Sequence, residues 1–68
     1  MNVTNIIKGL EVIQKSKPES ESDYHFRAEH DTIYVGSLEW PMSEEDRKIM
    51  AELGWHANKE IDGWVALV

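Results

Sequence analysis

The sequence predicts a two-layer α+β sandwich in the order α-β-β-α-β-β, a four-stranded antiparallel sheet with two helices on one face. Three observations lead there. Ser43 to Trp55 holds a helix start signal, an apolar stripe and a stop signal in one continuous reading. Tyr24 to Ser37 alternates apolar and polar residues about a short turn. Trp55 to Val68 echoes that hairpin: His25-Phe26-Arg27-Ala28-Glu29 before Ile33-Tyr34-Val35 lies beside His56-Ala57-Asn58-Lys59-Glu60 before Gly63-Trp64-Val65.

The helix after Ser43 is the best-specified element. A Ser43 hydroxyl can accept from an amide of the first turn, and Asp46, three residues on, is a weak variant of the acid that closes a capping box. Glu44, Glu45 and Asp46 place negative charge at the positive end of the helix dipole. Gly54 supplies a left-handed stop that returns Trp55 toward the face of Ile49, Met50 and Leu53. Before it, Leu38 to Met42 bridges from the first hairpin, with Pro41 keeping Trp40 extended and Trp40 lidding the core edge.

The first helix is expected from about Asn5 to Lys15, capped by Thr4 or Asn2. Ile6, Leu10 and Ile13 carry its core stripe, widened by Val3 and Ile7. Gly9 costs about 1 kcal/mol of helix propensity relative to Ala, which marks close packing against a neighbour. Pro18 disfavours helical geometry at Lys17 and ends the element. Ser16 to Asp23 follows as a solvated polar connector.

With His30-Asp31 as the turn, Glu29 faces Thr32, Ala28 faces Ile33, Arg27 faces Tyr34, Phe26 faces Val35 and His25 faces Gly36. Tyr24, Phe26, Ala28, Ile33 and Val35 then share the core face; His25, Arg27, Glu29, Thr32 and Tyr34 share the other. His-Asp is a poor two-residue turn, since of the two only Asp readily takes positive φ. The second hairpin admits two registers. Pairing Ala57 with Val65 and Trp55 with Leu67 turns those four inward and leaves His56, Asn58, Trp64 and Ala66 outward. A two-residue Asp62-Gly63 turn instead faces Ile61 to Trp64 and buries Trp64, but it sets Val65 and Leu67 beside His56, Asn58 and Glu60. The first register is preferred.

Sixty-eight residues make one domain, residues 1–68, and a chain this short buries only about 60% of its unfolded surface. The absence of cysteine removes disulfides and thiolate metal sites, which fits a reducing cytoplasm. No apolar run approaches the ~20 residues of a membrane span, so no membrane association is expected. Residues 1 to 17 carry a charge of +2 and residues 18 to 68 carry −8, giving the net −6. That field disfavours direct nucleic-acid binding and permits a basic protein partner.

The candidate working surface is the open sheet face, where the preferred registers gather Tyr34, Trp64, Arg27, His25 and His56, residue types enriched at binding hot spots. A purely structural alternative has Tyr34 and Trp64 covering each other as cross-strand neighbours. Glu29-His30-Asp31, or His25 with His56, lacks a known metal-ligand spacing, so no metal or other cofactor is expected. No cysteine, serine elbow or glycine-rich phosphate loop is present, which argues against an enzyme. The function expected is therefore protein binding. The alternative is an acidic mimic of nucleic acid that inhibits a DNA- or RNA-binding host factor, its carboxylates drawn from the 19–23 loop, Glu39 and the second helix. Homodimerisation through the aromatic face or an exposed edge strand is also open to so small a chain.

Asp31-Thr32-Ile33-Tyr34-Val35-Gly36, Ser43-Glu44-Glu45-Asp46, Leu53-Gly54-Trp55-His56 and Gly63-Trp64-Val65, taken together, resemble the short acidic accessory proteins encoded by tailed phages and prophages. The resemblance covers residues 31–68. It implies a small protein of the bacterial host cytoplasm that binds and modulates a host protein, and it carries over no catalytic residues.

Overall fold

The structure is a computed structural model that describes residues 1–22 and 25–68. The core position expected for Tyr24, and the acidic end of the loop at Asp23, lie outside the described residues. The elements run α1 (Val3–Ser16), β1 (Phe26–Glu29), β2 (Thr32–Val35), α2 (Glu44–Leu53), β3 (His56–Asn58) and β4 (Gly63–Leu67). The strands form one antiparallel sheet in the order β1-β2-β4-β3, so the two hairpins join through their inner strands. This is the predicted α+β arrangement.

Both helices are held by the caps their sequences provide. The Asn2 side chain accepts from the Asn5 amide at 2.8 Å, and Lys17 leaves the helix in extended geometry before Pro18. Ser43 Oγ accepts from the Asp46 amide at 3.1 Å. At the end of α2, Gly54 adopts φ 95°, its amide donates to Ala51 O at 3.1 Å and the Trp55 amide donates to Met50 O at 2.9 Å. That pair of bonds reverses the chain and drives Trp55 into the core.

Gly9 has the close neighbour its position implied. A Cβ there would overlap the Trp55 indole, whose Nε1 donates to Asn5 O of the same helix at 3.1 Å. The core gathers Ile13, Ile33, Val35, Trp40, Met50, Trp55, Trp64 and Ala66. Met50 is fully buried, while Val3 and Ile7, expected to widen the α1 stripe, stand exposed. Trp40 is part of this core rather than a lid at its edge.

The first hairpin has the predicted register at every paired residue, from Glu29 with Thr32 to Phe26 with Val35. The left-handed turn residue is His30, at φ 55°, and not Asp31. Its core face is nonetheless only half covered. Ile33 and Val35 on β2 are buried, but Phe26 and Ala28 on β1 are exposed, as is Ala57 on the opposite edge. The helices cover the central strands and leave both edges of the inner face open.

The second hairpin corrects the preferred register. His56 pairs with Val65, Ala57 with Trp64 and Asn58 with Gly63, one residue away from the expected pairing of Ala57 with Val65. A one-residue slip exchanges the faces. Trp64 (5% exposed) and Ala66 (0%) therefore point inward, and Val65 and Leu67 outward. The loop is not the Asp62-Gly63 turn either: four residues, Lys59 to Asp62, separate the closing pair.

Three residues, Asn58, Asp62 and Gly63, account for that register. Asn58 Oδ1 accepts from the Glu60 and Ile61 amides at 3.0 and 3.4 Å, starting the loop immediately after β3. Asp62, at φ 50°, accepts from Ser37 Oγ at 2.7 Å and from the Leu38 amide at 3.2 Å, fastening the loop to the connection that leaves β2. Gly63 then lies so close to Gly36 that a Cβ would stand 3.1 Å from its carbonyl oxygen. With Gly63 placed there, Trp64 pairs with Val35 on the core face. Burying an indole removes more apolar surface from water than burying Val65 in its stead, which reinforces the choice.

Candidate functional site

The registers of the three strand pairs fix the open face residue by residue. Arg27 pairs with Tyr34, Tyr34 with Val65, and Val65 with His56, so one row of side chains crosses all four strands on the side away from the helices. The next row holds Glu29, Thr32 and Leu67. Leu67 is 59% exposed, while Tyr34 and Val65 are partly covered by their neighbours.

Local chemistry holds the cationic end of the row. The Arg27 guanidinium lies over the Tyr34 ring at 4.7 Å from its centroid, and its Nη2 stands 3.8 Å from Glu29 Oε2. Both charged side chains remain well exposed, so the ion pair adds little to stability in water. The stacked guanidinium is instead a preordered donor with its outer edge facing solvent.

Beside the row the sheet carries a hollow of about 490 Å3, walled by His25, Arg27, Tyr34 and Ile61, with Gly36 and Gly63 on its floor. Gly36 and Gly63 lie against each other there, where β2 meets β4. His25 stands at its rim. The imidazole also meets Trp40 edge-on, with ring centroids 5.1 Å apart and planes at 64°, so a core residue orients it.

Of the five residues predicted for this surface, Arg27, Tyr34 and His56 share the cross-strand row, and His25 lines the adjoining hollow. Trp64 does not belong to the site: it is buried on the opposite face, because of the register correction above. Val65 and Leu67 take its place, and sequence reasoning missed them for the same reason. The signal was present in Asn58 and Asp62, two residues whose short polar side chains bind nearby backbone and tolerate left-handed geometry.

Among the described residues no cluster of three His, Cys, Asp or Glu side chains is placed to hold a metal ion. Nor is any helix among them long and apolar enough to cross a membrane. Comparison of the chain with protein-family models, with curated proteins and with solved structures finds no match. The site is therefore read from its own residues.

Proposed function

We propose that the protein acts by binding a protein partner on its open sheet face, without catalysis, as a small accessory factor that modulates a bacterial host protein in the cytoplasm. The host setting comes from the phage-like resemblance of residues 31–68. The observation that supports binding is the uncovered row Arg27, Tyr34, Val65 and His56, with Leu67 beside it and a glycine-floored hollow at its end. An arginine stacked on a tyrosine, flanked by exposed aliphatic side chains and a depression that can take one partner side chain, has the composition of an interface centre.

The test is affinity capture from bacterial lysate with wild type, Tyr34→Ala and Leu67→Ser side by side, washed at low salt and at about 0.5 M, where charges are screened within a few ångströms. One partner retained by wild type at high salt and lost by both variants supports the reading. A partner bound equally by all three, and released from each by salt, contradicts it and favours acidic mimicry of nucleic acid.

A further inference from the structure

The two outer strands of the sheet differ in the backbone groups they leave over. The Gly36 amide donates to His25 O at 2.7 Å, so the bonded pairs of β1 with β2 are His25–Gly36, Arg27–Tyr34 and Glu29–Thr32. The N–H and C=O of Phe26 and Ala28 therefore point away from the sheet. The planar peptide after Glu29, whose carbonyl faces β2, turns the His30 N–H outward as well. At the other edge, the Val68 amide donates to Asp31 O at 2.7 Å, which makes Ile33–Ala66 and Val35–Trp64 the bonded pairs of β2 with β4. Gly63 and Val65 are then bonded to β3, where only Ala57 points outward. β1 is thus the more open edge. Among the described residues no backbone hydrogen bond reaches its outward groups, and no proline or lysine blocks pairing there.

The charge of this edge differs from that of the protein. The chain carries −6, but β1 holds one cation, Arg27, and one anion, Glu29, both well exposed on the open face. The cleft behind β1, on the helix side, is lined by one charge of each sign, Lys17 and Glu11. Phe26 is 53% exposed on that side and Ile7 50% exposed across the cleft, while the neighbouring Ala28 is small. A strand of strong charge, of either sign, finds nothing to match here. A copy of β1 does.

We infer that β1 pairs antiparallel with β1 of a second copy of this chain, about a two-fold axis at Ala28, joining two four-stranded sheets into one. At the axis the N–H and C=O of Ala28 bond those of the other Ala28. Next to it, Arg27 of each copy faces Glu29 of the other, in a non-hydrogen-bonded pair where side chains stand closest. Beyond them the His30 N–H of each copy reaches the Phe26 carbonyl of the other. A two-fold axis at Arg27 would instead oppose the two arginines, and one at Phe26 would set Arg27 against His25. Charge selects the register, while main-chain bonds and the cover gained by Phe26 supply the affinity. The inference does not rest on the open-face reading, since Tyr34, Val65 and Leu67 take no part in the pairing.

Sedimentation equilibrium and amide-resolved NMR of the full chain across a concentration series test it. So small an interface should give a weak dimer, with a dissociation constant on the order of 0.1 mM. Exchange of the Ala28 and His30 amides should slow as concentration rises, and that of Ala57 should not change. Arg27→Glu and Glu29→Arg should each weaken the dimer about ten-fold, and the two together should restore it. Ala28→Pro, which removes an outward N–H at an edge strand, should abolish it. Circular dichroism confirms that the variants are folded. Leu67→Ser should leave the dimer intact, which separates its loss from loss of an open-face partner. A chain still monomeric at about 1 mM, leaving the edge to another polypeptide or to none, would overturn the proposal. So would a dimer that survives Ala28→Pro, a double variant no tighter than either single one, or concentration-dependent shifts centred on Val65 and Leu67.

Discussion

The two hairpins differ in what sets their registers. In β1–β2 a two-residue turn and an alternating pattern agree, and the pairing follows from local sequence alone. In β3–β4 a three-residue strand offers little pattern, and a four-residue loop is fastened by Asp62 to Ser37 and Leu38, 25 and 24 residues away in sequence. The first is a local decision and the second a tertiary one. Because side chains alternate, that distant fastening decides which face of β4 meets solvent, and so which residues can bind a partner.

Removal of Trp64 gives the largest expected effect. Trp64→Ala should cost about 3–5 kcal/mol in urea unfolding, which approaches the whole stability of so small a domain. Tyr34→Ala, in the neighbouring strand but on the open face, should cost about 1 kcal/mol or less, the worth of a cross-strand contact and an exposed cation–π pair. Equal losses from the two substitutions would erase the distinction between the faces.

The loop comes next. Asp62→Gly keeps the left-handed backbone accessible while deleting the acceptor for Ser37 and Leu38, and should lower stability by about 1–2 kcal/mol. Thermal melts would show it, and two-dimensional NMR should show the Trp64 and Val65 resonances broadened or doubled as the register loosens. A sharp, unshifted β4 in that variant would mean that the register is set within the hairpin after all.

His30→Gly should give the smallest change and the opposite sign. His30 holds φ 55°, where a side chain costs about 1–2 kcal/mol and glycine costs nothing beyond its greater unfolded-state entropy. A net gain of ~0.5 kcal/mol follows. A loss of stability would show that the imidazole makes a contact that outweighs the backbone strain.

Most of the architecture was legible in the sequence because caps, stops and alternation are local. Ser43, Gly54 and the Phe26-to-Val35 pattern name their own partners within a few residues, and Gly9 announced a close neighbour even though it could not name Trp55. Coverage was not legible. Phe26 has the pattern of a core residue and the exposure of a surface one, since whether a helix reaches an edge strand depends on the width of the helix layer and not on the strand. Trp64 was misplaced because the preferred register turned Val65 and Leu67 inward to gather apolar side chains; the tight-turn alternative buried Trp64, and only the contacts of Asp62 with Ser37 and of Gly63 with Gly36 show which face of β4 meets the core. Three of the five predicted site residues share one row because the first hairpin was read correctly and His56 alternates with Trp55, whichever way β4 slides.

The most direct test is a nuclear Overhauser measurement at Val65 and Trp64. Contacts from the Tyr34 ring to the Val65 methyls, together with contacts from the Trp64 indole to the Val35 methyls, are the expected result. Contacts from the Trp64 indole to the Tyr34 ring, with Val65 and Leu67 methyls against Met50, would contradict the register and the open face built on it.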